Sequence, residues 1–388
     1  MLMNNWYVAG FADEVTDKPK HVRMLAQDYV LFRDENGTLN CLSDICIHRG
    51  ASLSHGLVHN GCIECPYHGW RYRGDGSGAE IPAHPDVRIP KRVRVDSYPV
   101  QERYGFIWVF LGNIPEEERP PIPEFPEYDA PGRRNVRGTF KWSANYGRVL
   151  ENGCDFAHAA FVHPSFGNRD WPEIKKYETF PGEWSYGARL TMPTPPDTGF
   201  WGFVRGRREK VDVMAEPEWH IGGMTVVLRL LMNRGWNNAL FDCNTPVDEN
   251  TTMTYWQLSR NFFTQKFFDG DTTKRALQIF NEDHVVLNNL NPVELPPGLR
   301  EEFSVASDAL MVAFRKKRQE LYARGWGIDL QTYEDEYGER KAAVIPSPAR
   351  REDPKGWVLP EVPRLSATGK PMRQAAEQEN RKNLFSMG

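Results

Sequence analysis

Between residues 6 and 111 the chain alternates short apolar runs with Gly, Asn and Asp. This is the rhythm of strands and tight turns. Runs at 22–25, 29–33 and 38–42 read as strands, with Glu35-Asn36-Gly37 as a hairpin turn. Residues 106–111 are apolar throughout and read as a buried strand. Residues 114–131 then bring Pro115, Pro120, Pro121, Pro123, Pro126 and Pro131 with few apolar positions, which predicts an extended linker that cannot be helix.

A second patterned region follows. A strand is expected at 136–142 and a helix-compatible stretch at 144–158. Residues 186–259 alternate like strands. In the run 224–232 one face is Met224, Val226, Leu228, Leu230 and Met232, and 252–259 is the expected partner strand. That apolar face suits packing against a helix, or lining an apolar pocket. Arg229 falls on the opposite face, where solvent or an ion pair suits it better than a substrate carboxylate. Residues 267–289 and 304–324 read as long helices. From residue 334 the chain is charged and Pro-rich, which reads as a surface tail. The division expected is 1–115, a linker at 116–135, a second domain at 136–335 and a tail at 336–388.

Composition narrows the class. The 388 residues are 40% hydrophobic and 26% charged, with a net charge of -4, which is ordinary for a soluble globular protein. No general basic field recommends nucleic acid or an anionic membrane as partner. Mean hydropathy is -0.59, and no apolar run is long enough to span a bilayer. The N-terminus lacks the basic and apolar regions of a signal peptide. Six cysteines in a chain this long make no disulfide framework, so a reducing cytoplasm is expected.

Two of those cysteines sit in chemistry-bearing loops. Cys46-Ile47-His48-Arg49-Gly50 and Cys65-Pro66-Tyr67-His68-Gly69-Trp70 each offer one thiolate and one imidazole. Structural zinc sites usually pair like with like on each loop. Mixed loops favour a two-iron cluster, with both sulfurs on one iron and both imidazoles on the other. Gly50 and Gly69 would let the backbone turn tightly beside it.

A second constellation is Asn152-Gly153-Cys154-Asp155-Phe156-Ala157-His158, followed by His163-Pro164. Five residues on a regular helix turn through about 500°, leaving the two histidines about 140° apart. They can share an ion only if the helix breaks, and the expected break is just after His158. Asp155, three residues before His158, would point the same way on a helix. Two histidines and one carboxylate make the facial triad of Fe(II) oxygenases. Asp283 is the best candidate for the third ligand, with Glu282 and His284 as neighbours that project elsewhere. A lone helical Asp is otherwise a solvated residue. The other histidines, His21, His55, His59, His84, His220 and His284, read as surface or satisfied polar groups. The basic run 205–210 reads as a solvated loop that could instead meet an acidic ferredoxin.

The two Cys/His loops resemble the Rieske [2Fe–2S] motif, and the Asp155, His158, His163 pattern with a distant Asp resembles the catalytic domain of Rieske non-haem iron oxygenases. The similarity covers essentially the whole chain, and its short opening is closer to the phthalate and vanillate branch than to the naphthalene branch. The resemblance implies an α+β fold, with an N-terminal antiparallel β Rieske domain followed by a helix-grip (START-like) catalytic domain. It implies cluster ligands at Cys46, His48, Cys65 and His68, and mononuclear iron at His158, His163 and Asp283. Asp155 would bridge a Rieske histidine of one subunit to an iron histidine of its neighbour, with Asn152 near the iron. It further implies a trimer or multiple of trimers, dioxygen as co-substrate, and electrons from NAD(P)H through a separate flavin reductase, with or without a ferredoxin. No dinucleotide-binding glycine fingerprint occurs in this chain. The expected reaction is hydroxylation or oxidative demethylation of a small aromatic or alicyclic molecule. Ring cis-dihydroxylation is the alternative, and an electron carrier with a ligand-binding domain is the alternative from another class.

Overall fold

The computed structural model describes residues 1–194, 211–232, 235–338 and 341–372. The basic run 205–210 lies outside them. The chain divides into two compact units, one of Met1–Pro120 with Arg318–Gly388 and one of Pro121–Lys317.

The first unit is built on antiparallel sheets. β1 (Asn5–Phe11), β10 (Val100–Arg103) and β11 (Phe106–Leu111) form one, with β11 central and buried along its whole length. β2 (Lys20–Met24), β3 (Gln27–Arg33), β4 (Leu39–Ser43) and β9 (Ser97–Tyr98) form another. The turn between β3 and β4 is closed by Asp34 Oδ1, which accepts from the amides of Asn36 and Thr38, and Gly37 takes φ +78°. The third is a small sheet of β5 (Leu57–His59), β6 (Cys62–Glu64), β7 (Arg71–Tyr72) and β8 (Gly78–Glu80). The Cys46 loop precedes β5, and the Cys65 loop joins β6 to β7.

The C-terminal segment differs from a surface tail. Ala343, Val344, Ile345, Ser347 and Val362 are buried within this unit. Arg350 makes two 2.8 Å bonds to the buried Asp96 carboxylate, and Ser347 donates to the same group. Charge and proline content hide such a return, because buried ion pairs and buried prolines look polar or irregular in sequence. The segment 114–131 is non-helical except for one 3-10 turn at Glu116–Glu118.

The second unit is one seven-stranded antiparallel sheet with helices, the helix-grip arrangement expected. Its strands are β12 (Arg134–Trp142), β13 (Lys175–Pro181), β14 (Ser185–Thr194), β15 (Val211–His220), β16 (Thr225–Leu231), β17 (Asn237–Pro246) and β18 (Thr252–Arg260). They run in the order β12-β18-β17-β16-β15-β14-β13. The strand containing Thr252 is therefore not the partner of the run 224–232; β17 lies between them. Hairpin connection favours sequential neighbours, and β17 is the strand the alternation rule left unassigned.

The helices that carry the site are α1 (Tyr146–Cys154), α2 (Ala159–Val162) and α3 (Asp269–Leu287). α1 is capped by Asn145 Oδ1, which accepts from the Gly147 amide at 3.0 Å. α3 buries Ala276, Phe280, Asp283 and Leu287, a single stripe at helical spacing. Phe280, Ala276 and Leu287 pack with Val136, Trp142 and Trp256 of the sheet.

Candidate metal centres

In the first unit the two Cys/His loops are closed by the same pair of backbone bonds. Cys46 N–H donates to Ala51 O and Gly50 N–H to Cys46 O, at 2.9 and 2.8 Å. Cys65 N–H donates to Trp70 O and Gly69 N–H to Cys65 O, at 2.8 and 3.1 Å. Both turns need a left-handed residue at the same place, and Gly50 (φ +76°) and Gly69 (φ +69°) supply it. The loops face each other. Cys46 and Cys65 are buried, while the His48 and His68 rings lie outward with centroids 4.6 Å apart. Trp70 stacks on His48 at 4.4 Å.

The donor set fits a Rieske cluster on two local observations. Burial pushes the Cys46 thiol up, and the neighbouring Cys65 adds to that, so the two sulfurs share one buried spot that a cation-bearing group would relieve. His48 Nδ1 is buried without a hydrogen-bond partner. The Tyr72 hydroxyl lies 3.2 Å from Cys46 Sγ, a contact that reading the motif alone missed. Its signal was the aromatic residue that ends β7, just after the second loop.

In the second unit His158 Nε2, His163 Nε2 and Asp283 Oδ1 converge. Their mutual distances are 3.1, 3.3 and 3.2 Å. Adjacent positions of an octahedron with bonds of about 2.2 Å lie about 3.1 Å apart, so the triangle has the dimensions of three facial ligands. Their donor atoms all lie within 4.8 Å of one another, close enough to share one metal ion. Two imidazole nitrogens and a carboxylate oxygen aimed at one point suit a borderline cation. Asp283 Oδ1 has no hydrogen-bond partner. Burial works against the charged forms, yet Asp155 and Asp283 together hold His158 up at about 9. Burial likewise raises Asp283, but the two histidines outweigh it and hold the carboxyl at about 2.

The local route to this geometry differs from the sequence expectation. α1 ends at Cys154, and Asp155 is already extended (φ -81°, ψ 128°), so the helix breaks before His158 rather than after it. His158 then opens the short α2 and His163 closes it. Asp155 and His158 therefore do not share a helical face. Asp155 Oδ2 still lies 3.4 Å from His158 Nδ1, because the extended residue folds its side chain forward and accepts from the Ala157 amide at 2.8 Å. Asn152 sits half-buried in the last turn of α1, and its carbonyl accepts from Asp155 N–H at 3.2 Å.

Asp283 occupies a core position of α3, which is why it is buried where a helical Asp would ordinarily be solvated. Glu282 projects beside it and meets His163 Nδ1 at 2.9 Å, while Gln278 donates to its other oxygen at 2.8 Å. A carboxylate on the far nitrogen of a ligand imidazole fixes the ring's tautomer and orientation. His284 does not join the group; its Nε2 accepts from the Ser143 amide at 3.3 Å. Arg229 points away and pairs with Glu127.

A Rieske domain followed by a non-haem oxygenase domain is the class that this fold defines, and comparison with known proteins agrees. Residues 5–99 match the Rieske [2Fe-2S] domain, and residues 142–324 match the vanillate O-demethylase oxygenase C-terminal domain. The chain belongs to the Rieske non-haem iron oxygenases. It is 30% identical over 316 residues to methylxanthine N1-demethylase NdmA of Pseudomonas putida, covering 77% of this chain and 79% of that one. It is 32% identical over 218 residues to the oxygenase component of dicamba O-demethylase from Stenotrophomonas maltophilia, covering 56% and 64%. The crystal structure of dicamba monooxygenase bound to 3,6-dichlorosalicylic acid superposes with a TM-score of 0.71 at 26% identity, covering 83% of this chain and 97% of that one. Among the described residues no helix is long and apolar enough to cross a membrane.

Proposed function

We propose that this chain is the terminal oxygenase component of a Rieske system. It takes electrons originating in NAD(P)H from a separate reductase, with or without a ferredoxin, and uses dioxygen to hydroxylate or oxidatively demethylate a small aromatic or alicyclic molecule. The observation that carries the reading is the triangle of His158 Nε2, His163 Nε2 and Asp283 Oδ1, with sides of 3.1–3.3 Å. A pure electron carrier or ligand-binding module has no use for it. Names of relatives such as methylxanthine N1-demethylase and dicamba O-demethylase support removal of a methyl group over ring dihydroxylation.

In this reading Cys46, Cys65, His48 and His68 hold the cluster, with the histidines on the exposed side where a redox partner can approach. His158, His163 and Asp283 would hold the mononuclear iron through two imidazole nitrogens and one carboxylate oxygen. When bound, that iron supplies dioxygen activation. Glu282 orients the His163 imidazole through its far nitrogen, and Asp155, 3.4 Å from His158 Nδ1, keeps one carboxylate edge partly exposed for a neighbouring subunit's cluster histidine. Asn152, at the end of α1, stands near the same centre. A homotrimer or multiple of trimers and a cytoplasmic location belong to the same proposal.

Oxygen uptake with a surrogate reductase, screened over methoxyarenes, aromatic acids and N-methyl heterocycles with labelled dioxygen, tests it. One labelled atom in the product, or in the aldehyde lost on demethylation, is expected. Two labelled atoms in one product would establish dihydroxylation instead, and no substrate-dependent uptake from iron-replete protein would remove the oxygenase reading.

A further inference from the structure

Val226, Asp242 and Trp256 form one rung across β16, β17 and β18. Residues directly opposite in an antiparallel ladder share a face, so the three side chains project to the same side of the sheet. Both ends of the rung show which side that is. Val226 faces α1, since a Cβ placed on Gly153 would lie 3.2 Å from Val226 Cγ2. Trp256 faces α3, where its ring lies 6.1 Å from that of Phe280. Asp242 therefore projects between the helix that leads to His158 and the helix that carries Asp283.

Asp242 is 8% exposed, and its Oδ1 has no hydrogen-bond partner. An unpartnered buried carboxyl is costly, and a central strand would ordinarily hold an apolar residue there. The flanking inner-face residues Leu228, Leu240 and Leu258 remain partly accessible although their strands are interior to the sheet. An apolar surface with one buried polar group is how small-molecule sites fix orientation.

We propose that Asp242 is a specificity residue of the oxygenase site, accepting a hydrogen bond from a hydroxyl or N–H on an otherwise apolar substrate. The inference rests on the function proposed above and deepens it: the substrate class is a neutral molecule with a hydrogen-bond donor at one end and the reacting carbon at the other. Donor-free analogues leave Asp242 unpaired and lose affinity accordingly.

The test is equilibrium binding, which needs no turnover. The purified full chain is titrated calorimetrically with anisole, the three methoxyphenols and the three methoxyanilines. At least one donor-bearing probe should bind about tenfold more tightly than anisole. In Asp242→Leu and Asp242→Ala that preference should fall to within about twofold, while Asp242→Asn, which keeps a carbonyl acceptor of the same size, retains part of it. A wild-type chain that binds no donor-bearing probe better than anisole overturns the proposal. A preference that survives in a folded Asp242→Leu or Asp242→Ala variant does so too. Iron analysis of the same samples separates this from the parent reading. A binding preference without mononuclear iron sinks the oxygenase function and leaves Asp242 a ligand contact, whereas full iron without the preference sinks only Asp242.

Discussion

Glu282 Oε2 lies 2.9 Å from His163 Nδ1, and Asp283 Oδ1 lies 3.2 Å from Nε2 of the same ring. Neighbouring residues of one helix thus address both nitrogens of a single imidazole. Adjacent helical side chains diverge by about 100°, so the His163 ring must sit edge-on between them. Its stacking on Phe166, at 4.7 Å, holds it there.

Removing the Glu282 contact should weaken the metal without removing a ligand. Glu282→Ala is expected to lower Fe(II) affinity about 10–100-fold, and Glu282→Gln, which can still bond the ring, by less. Chelator competition on the purified protein measures this. Unchanged affinity in Glu282→Ala would mean that Phe166 alone orients the ring.

The two centres should separate by mutation. Asp283→Ala should lose the mononuclear iron and substrate-dependent oxygen uptake while keeping the visible absorption of the cluster. Cys65→Ser should lose that absorption. An Asp283→Ala protein that retained its third iron would assign the ligand elsewhere.

Tyr72 should tune the cluster. Burial holds its hydroxyl well above the ordinary tyrosine range, so it stays protonated and donates toward Cys46 Sγ, 3.2 Å away. A donor to the thiolate favours the more negative, reduced cluster. A hydrogen bond of about 0.5–1.5 kcal/mol corresponds to about 20–65 mV in a one-electron couple. Tyr72→Phe should lower the reduction potential by that amount, as read by redox titration. A rise would reverse the assigned donor.

The second unit holds a buried ion network whose disruption should destabilise it. Arg315 bonds Glu151 at 2.6 and 2.7 Å and Glu302 at 2.6 Å, and Arg148 reaches Glu302 at 2.8 Å. Arg315→Ala removes the guanidinium that pairs with the buried Glu151 and should cost about 3–5 kcal/mol in chemical denaturation. Hydrogen bonding from Arg148, then from Arg315, holds Glu302 below the usual carboxylate range. Its contribution is therefore complete above the unfolded value of about 4.3 and is lost as pH falls through the lower folded value. The stability gap between wild type and Glu302→Gln should stay constant from neutral pH to mild acid and narrow only in stronger acid. A gap that widened on acidification would contradict the pairing.

The cluster loops were legible because all four donors fall within twenty-three residues and their turn glycines are local necessities. His158 and His163 were legible as a pair, but the break that unites them was misplaced, since Asp155 leaves the helix earlier than its sequence suggests. Asp283 is a helical carboxylate that meets the two histidines. Its burial follows from sharing a stripe with Ala276, Phe280 and Leu287, a pattern available in sequence. The contacts of Glu282 and Tyr72 and the burial of Asp242 were not legible. Each depends on what a sheet or helix brings opposite it, and strand order here places β17, with Asp242, between two strands that alternation alone would have paired.

Iron and acid-labile sulfide counted together in anaerobically reconstituted protein test the central claim most directly. The account predicts three irons and two sulfides per chain, falling to two irons and two sulfides in Asp283→Ala. Two irons in the wild type, or zinc in place of iron at both centres, would contradict it.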